Sequence, residues 1–405
     1  MRSKGFALRA IATVAVFGLL AAACGGDETP GGGGGGGDKP TVKIGFFGAL
    51  TGDYKLLVIH GAQAAQLAFE QANAAGDLPV NIEFVQHDTQ GSGDQASPLA
   101  DQVIQDSAYV GIIGPAFSGE SAAVGDKFDQ AGLPFVTPSA TDDALATHGW
   151  THWFRAVANN SDQAKPSAAY IQNVVKPNCT FVASDGTAYG HGLAAIAFTQ
   201  LNDAGVTAEP EEQVAPGQKD YSALVTKIQG SGCKSLFYGG YSPEAGLIRK
   251  QMNQAGLSDV VMNGGDGIKD DAFLSTAGRS AEGTISACPC VSPSDLAESA
   301  GNIAGIQKLI TDYKGKFGED PGIYAAEGWD VAQIFSSAFK AGKTDRESIT
   351  SYIRGLQGFA GLAKAYSWQP DGELFPASRL MFMYEAKGGE WVFLGDAATV
   401  AAPAE

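Results

Sequence analysis

The chain has 405 residues, five cysteines, 44% hydrophobic residues and a net charge of −17 at pH 7. That length and apolar content can fill more than one core, so two domains are expected. The acidic balance argues against nucleic acid or an anionic lipid surface as a partner.

Arg2, Lys4 and Arg9 flank an apolar run from Ala10 to Ala23 that is too short to span a bilayer and has the shape of a secretory signal. It ends in Leu20-Ala-Ala-Ala-Cys24-Gly, which resembles the lipobox of bacterial lipoproteins, although Ala21 stands where that motif usually has Leu or Val. The resemblance implies cleavage after residue 23 and lipidation of Cys24. Residues 24–40 are rich in glycine, with Asp, Thr and Pro, a composition that cannot bury a core and behaves as flexible coil with a reach of about 20 Å. A tether holding a globular body just off the membrane is expected.

The body opens with a strand at Val42–Phe47, a helix from about Gly61 to Ala75, a strand at Asn81–His87 and a helix at Ala96–Asp106. Next comes a strand at Val110–Gly114, a helix entered through Ser118 with apolar positions Ala122, Ala123, Val124 and Phe128, and a strand at Leu133–Thr137. Loops this short between strand, helix and strand predict a right-handed parallel unit, with Ser118 and the Thr-Pro-Ser-Ala-Thr loop side by side at the strand ends. Ligands bind at the carboxyl ends of such strands, and a helix starting there offers free N–H groups to an anion. Ser118 therefore reads as a carboxylate seat; the plainer alternative is a helix N-cap.

After Trp153-Phe-Arg155 the pattern restarts: helix 162–175, strand 180–184, helix 189–204, strand 206–214, helix 220–229, strand 234–239, helix 243–255 and strand 259–262. Helices at 301–316 and 323–341 follow, then a hairpin from Met381–Tyr384 and Trp391–Phe393. Strand alternating with helix predicts parallel sheets covered by helices.

Besides Cys24 there are four cysteines, consistent with an oxidising, exported location. Cys179 and Cys233 each stand just before a strand; if those strands are neighbours, their starts could be bridged, leaving Cys288 and Cys290 as a tight local pair. Cys288 and Cys290 lack further ligands at zinc spacing, so no metal is expected.

The segments VKIGFFGALTG, TPSAT, YGHGLA, QKDYSALVTKI, FYGGYSPEAGLIRKQMNQAGL and GGDG, with the stretch from FRA to NNSDQ, resemble the leucine/isoleucine/valine-binding proteins, type I solute-binding proteins of branched-chain amino acid transporters. The likeness runs from Val42 to about Leu394. It implies an α/β, periplasmic-binding-protein-like type I fold: two doubly wound parallel-sheet lobes joined by a three-crossing hinge. Lobe 1 would comprise residues 41–158 plus 291–380, and lobe 2 residues 159–290 plus 381–401, with crossings near Val157–Ser161, Cys288–Ser292 and Leu380–Met383.

The resemblance also implies a ligand-binding set. Ser118 aligns with the carboxylate-binding serine; Ser139, through its carbonyl, and Thr141 align with the neighbouring ligands. Tyr189 and Tyr241 would cover the ligand from lobe 2, and Asp266 would pair with its ammonium where the family member compared has Glu. A zwitterion needs donors for its carboxylate and acceptors for its ammonium, and this set supplies both. Three departures bear on the substrate: the loop after Gly52 is short, the aromatic residue lining the side-chain pocket has only Tyr54 as a candidate, and Phe117 replaces a smaller residue.

Catalysis is not expected. Ser118 lies in Ala-Phe-Ser-Gly-Glu rather than G-x-S-x-G, and His148 and His152 lack the glutamate of a zinc-protease motif. Glu327 and Asp330, three residues apart, read as a solvated helix face. The expected function is extracytoplasmic capture of a branched-chain or other small apolar amino acid by hinge closure. The partners would be an ABC permease and the membrane, through lipid on Cys24; no cofactor is implied, and a monomer is expected. Two other readings fit the same residues: a ligand-sensing lipoprotein, and a binder of short amide or urea-type solutes.

Overall fold

Apolar strand runs alternating with alanine-rich helices form two sheets, each with a set of loops at its strand carboxyl ends. The computed structural model describes residues 39–299 and 303–403; the expected signal segment, Cys24 and nearly all of the expected glycine tether lie outside them. The first sheet has five strands, β1 (Thr41–Gly48), β2 (Asn81–Asp88), β3 (Tyr109–Ile113), β4 (Phe135–Thr137) and β5 (Trp153–Arg155), in the order β2-β1-β3-β4-β5. All its pairings are parallel. Helices α1 (Lys55–Ala75), α2 (Gly93–Gln105) and α3 (Ser118–Gln130) make the crossovers.

The chain then enters α4 (Asn160–Tyr170) and builds the second sheet from β6 (Thr180–Ser184), β7 (Glu212–Gln213), β8 (Ser235–Gly239), β9 (Val261–Gly264) and β10 (Ile285–Cys288). Helices α5 (Ala188–Asp203), α6 (Ser222–Ser231), α7 (Ser242–Gln254) and α8 (Asp271–Ala277) connect them. It next forms α9 (Pro293–Ser299), α10 (Ile303–Phe317), α11 (Ala325–Lys340), α12 (Arg346–Arg354) and a small ribbon of β11 (Phe359–Ala360) and β12 (Ala365–Tyr366). Finally β13 (Phe382–Lys387) and β14 (Glu390–Asp396) return antiparallel to complete a seven-stranded second sheet, ordered β14-β13-β10-β9-β8-β6-β7.

Several predicted boundaries move, each for a local reason. Helix α1 starts at Lys55 rather than near Gly61, because Leu57 and Val58 turn into the core. The predicted strand 206–214 shrinks to the two residues of β7 plus a bridge between Thr180 and Ala208. Pro210, within Glu-Pro-Glu-Glu, has no N–H to give a ladder. On α3 the predicted apolar face is rotated: Ala122 and Ala123 are exposed, while Glu120 and Ser121 are buried with Val124 and Phe128. The Glu120 carboxylate accepts from the Phe117 N–H (3.2 Å) and the Thr89 hydroxyl, and burial pushes its pKa up to about 8.

The largest correction concerns Glu327 and Asp330, which are 0% and 1% exposed rather than solvated. Asp330 accepts from the N–H groups of Leu362 (2.6 Å) and Ala363 (2.8 Å) and from the Tyr366 hydroxyl (3.0 Å), fastening the β11–β12 ribbon to α11. Glu327 faces Lys364, whose ammonium lies 3.3 Å from its carboxylate and donates to the carbonyls of Ala156 and Pro289, each at 3.4 Å. Ala156 and Pro289 belong to two of the segments passing between the sheets, so one buried cation ties both to α11. Helical periodicity put both acids on one face but did not show what covered it.

The sulfurs of Cys179 and Cys233 are joined, with Cα atoms 4.8 Å apart, where β6 and β8 start side by side through Thr180 and Ser235. Cys288 and Cys290 are joined at the end of β10. Loop closure by the first bridge should stabilise the fold by about 2–4 kcal/mol. The double variant Cys179→Ala/Cys233→Ala is therefore expected to lose that much unfolding free energy in denaturant titration, and an unchanged midpoint would refute the contribution.

Candidate functional site

Five strand ends meet the space between the two sheets in a consistent way. Ser118 follows β3, Ser139 and Thr141 follow β4, Tyr189 follows β6, Tyr241 follows β8, and Asp266 follows β9, each within a few residues of its strand's carboxyl end. All six are buried.

On the first-sheet side, Ser118 is the first residue of α3, and Phe117, not Ser118, occupies the N-cap position. The Ser118 hydroxyl oxygen accepts the Asp142 N–H at 3.2 Å, which brings the helix start against the loop after β4. In that loop the Ser139 hydroxyl donates to the Ala116 carbonyl (2.8 Å) and is thus committed to the fold. The Thr141 hydroxyl is buried with no hydrogen-bond partner among the described residues. A buried hydroxyl left unpaired costs free energy, so its position favours a partner with a matching polar group.

Arg155, fully buried at the end of β5, holds this loop: it donates to the carbonyls of Ala140 (2.8 Å) and Asp142 (2.9 Å), and its charge is met by Glu373 at 2.7 Å. Trp153-Phe-Arg155 was legible as a strand, but a lone arginine in an apolar run gave no sign of which loop it would fasten.

On the second-sheet side, Asp266 is the organising group. Its N–H donates to Gln163 Oε1 (3.1 Å), and its Oδ1 accepts from the Tyr189 hydroxyl (3.0 Å). The Tyr189 oxygen in turn accepts the Gly267 N–H (3.0 Å). Oδ2 accepts from the Tyr324 hydroxyl at 2.5 Å. Burial holds the Asp266 carboxyl above the ordinary carboxylate range, while the hydroxyls of Tyr324 and Tyr189 draw it back. Burial also pushes the Tyr189 and Tyr324 hydroxyls well above their usual range, so both remain neutral donors. Each carboxylate oxygen has two lone-pair directions, which leaves capacity for a cationic donor.

Tyr324 was missed in the sequence because the predicted helix 323–341 placed it inside a regular element. It instead precedes α11 in the left-handed region, with φ 61°, rare for a bulky side chain. Close packing of α1 on α11 sets its position. A Cβ on Gly328 would stand 2.2 Å from the Gly61 carbonyl oxygen, so only glycine lets the two helices approach there. Asp266 is therefore shared between a tyrosine of its own sheet and one carried by the helix layer of the other.

The rings complete the enclosure. Tyr189 and Tyr241 lie 5.0 Å apart between centroids, and Tyr241 meets Tyr54 at 5.3 Å and Phe117 at 5.4 Å. The Asn160 N–H donates to the Thr141 carbonyl (2.8 Å) and its side-chain amide to the Tyr189 carbonyl (3.4 Å), linking the Thr141 loop to the start of α5. Every predicted site residue thus joins one contact network. His148 stacks on Trp150 (4.3 Å) and His152 sits 2.8 Å from Asp129, both outside that network.

The arrangement can do one kind of chemistry well: it offers hydroxyls and a helix start at one end, a desolvated acid at the other, and aromatic walls between. Similarities to known proteins agree with this architecture. The model of the periplasmic binding protein family matches residues 41–390. The "Leu/Ile/Val-binding protein homolog 3" of Brucella melitensis is 32% identical over 247 residues, a match covering 60% of this chain and 66%, just under two thirds, of that protein. The "Leucine-, isoleucine-, valine-, threonine-, and alanine-binding protein" of Pseudomonas aeruginosa is 28% identical over 316 residues, 78% of this chain and 82% of that one. Among solved structures, a branched-chain amino acid transporter substrate binding protein, LivJ of Streptococcus pneumoniae in complex with isoleucine, superposes with a TM-score of 0.76 at 25% identity, covering 87% of this chain and 99% of that one. Matched from the first strand into the final hairpin, and folded as two sheets whose strand ends share one enclosure, this chain belongs to the periplasmic binding protein family.

Proposed function

We propose that the protein is the extracytoplasmic amino-acid-binding component of an ABC importer. It captures a branched-chain or other small apolar amino acid between its lobes and presents the closed form to the permease. The observation that carries this reading is Asp266, a buried acid bracketed by Tyr189 and Tyr324 from opposite sides of the enclosure. A desolvated carboxylate is costly unless a positive group completes its shell, and an α-ammonium has the charge and the donors to do so. The named ligands of the Brucella, Pseudomonas and Streptococcus relatives support the same class.

In this reading Ser118 and the first N–H groups of α3 receive the α-carboxylate, assisted by the free hydroxyl of Thr141. The Ser139 carbonyl and Asp266 accept from the ammonium, and Tyr189 and Tyr241 cover the ligand. The ligand leaves unchanged; no catalytic step is proposed. Lobe 1 is taken as residues 41–158 with 291–380, and lobe 2 as 159–290 with 381–401. A ligand shifts the open and closed populations only by binding the closed form better. Asp266 and the two tyrosines of the second sheet would supply that difference. The body is held at the membrane as a monomer through lipid on Cys24.

Ligand-stripped protein should gain about 2.7 kcal/mol of stability at a hundredfold excess of a cognate amino acid over its dissociation constant, read as a thermal shift. If leucine, isoleucine, valine and alanine all fail while another solute succeeds, the substrate class is wrong. Asp266→Asn keeps the shape and removes the charge, so calorimetry should show a loss of about 2–5 kcal/mol in binding. An unchanged dissociation constant would refute the ammonium partner.

Only the ionised acid pairs with an ammonium. Affinity should be full at neutral pH and decline as pH falls through the raised pKa of Asp266, beginning above the range where an exposed aspartate protonates. A profile flat to below that range would contradict the assignment. Tyr324→Phe removes a donor to Asp266 that, in this reading, is engaged only when the lobes are together. It should weaken binding by about 1.5–3 kcal/mol while leaving the melting point of the ligand-free protein nearly unchanged; equal losses in both would mark Tyr324 as merely structural.

A further inference from the structure

We infer that Phe117 sets the depth of the side-chain pocket and restricts the ligand to amino acids with short side chains, alanine rather than leucine. This deepens the amino-acid reading above and rests on it. Phe117 immediately precedes the carboxylate seat Ser118, so a ligand whose carboxylate lies at that seat has this ring beside it.

The backbone of Phe117 is fixed before any ligand arrives. It is extended at the N-cap of α3, with φ −108° and ψ 146°, and its N–H is held by the buried Glu120, which the Thr89 hydroxyl also reaches. The ring is buried and packs edge-on against Tyr54 at 6.1 Å and Tyr241 at 5.4 Å between centroids. Tyr54 and Tyr241 also touch each other, at 5.3 Å, so the three rings form a closed triangle drawn from both sides of the enclosure.

Retreat is limited from behind. A Cβ at Gly91, which has φ +76°, would stand 3.2 Å from the Tyr54 ring and 3.7 Å from that of Phe117, so the loop after β2 leaves the Phe117 ring no more than about a methyl's room on that side. The Tyr54 hydroxyl lies 3.4 Å from Glu244 Oε1, and that oxygen also accepts the Gly217 N–H at 2.8 Å, anchoring the far corner of the triangle. A branched side chain would have to displace a ring supported on two sides, whereas a methyl would not. A difference of a few methylenes in such a pocket is enough to reorder amino acids by one to two orders of magnitude.

The test is calorimetric titration of ligand-stripped protein with glycine, alanine, valine, leucine and isoleucine, for the wild type, Phe117→Ala and Phe117→Leu. The wild type should bind alanine more tightly than leucine. Phe117→Ala should raise the affinity for leucine relative to alanine by at least ~10-fold, with Phe117→Leu moving the ratio the same way by less. A wild type that binds leucine as tightly as alanine overturns the inference, and so does a ratio that Phe117→Ala leaves unchanged. If Phe117→Ala fails to fold, the wild-type ranking and the Phe117→Leu ratio decide in the same terms. Failure of every amino acid to bind the wild type would overturn the capture reading itself, an outcome distinct from a wrong ranking.

Discussion

A carboxylate withdrawn from water must be surrounded by donors or lose its charge, and Asp266 is the place where this protein meets that constraint. Its donors come from both sides of the enclosure: Tyr189 from the start of α5 and Tyr324 from the turn before α11. Neither hydroxyl carries a charge, so the site stabilises the acid without neutralising it. A positive ligand group is then the remaining source of electrostatic compensation, and it is most valuable when the two sides are together. In the proposed reading, selectivity for a zwitterion and preference for the closed arrangement would follow from the same buried oxygen atoms.

The opposite end of the enclosure is built by fastening rather than by charge. Arg155 grips the Thr141 loop by two carbonyls, Ser139 is tied to Ala116, and the Ser118 hydroxyl oxygen receives Asp142 N–H. Among the described residues these bonds leave the Thr141 hydroxyl without a partner, beside the start of α3. Preorganised donors of this kind cost little to use when a carboxylate arrives, because their ordering was completed on folding.

The segments passing between the sheets are stiffer than a run of loop residues suggests. Lys364 joins Ala156, Pro289 and Glu327, Asp330 holds the ribbon that carries Lys364, and Cys288 is bonded to Cys290 at the end of β10. Breaking a buried pair such as Lys364 with Glu327 leaves an uncompensated group in the interior, so the passage is held as one unit rather than as independent strings. Any change in the angle between the sheets must then be absorbed by small adjustments at a few termini.

Most of the placement of the proposed binding residues was legible from residue order. Alternation of strand and helix fixed the parallel sheets, and with them the fact that Ser118, Thr141, Tyr189, Tyr241 and Asp266 all follow strand carboxyl ends. Neighbouring strands 180–184 and 235–239 likewise brought Cys179 beside Cys233. These are consequences of local periodicity and connection length, which a linear sequence carries. The sequence did not reveal that Tyr324 leaves its helix in a left-handed turn to reach Asp266, that Glu327 and Asp330 lie in the interior, or that Phe117 stands against Tyr54 and Tyr241. Each of those depends on which helix face another element covers and how closely it approaches, as where Gly61 meets Gly328, and such distances between segments remote in sequence are decided only when the whole chain packs.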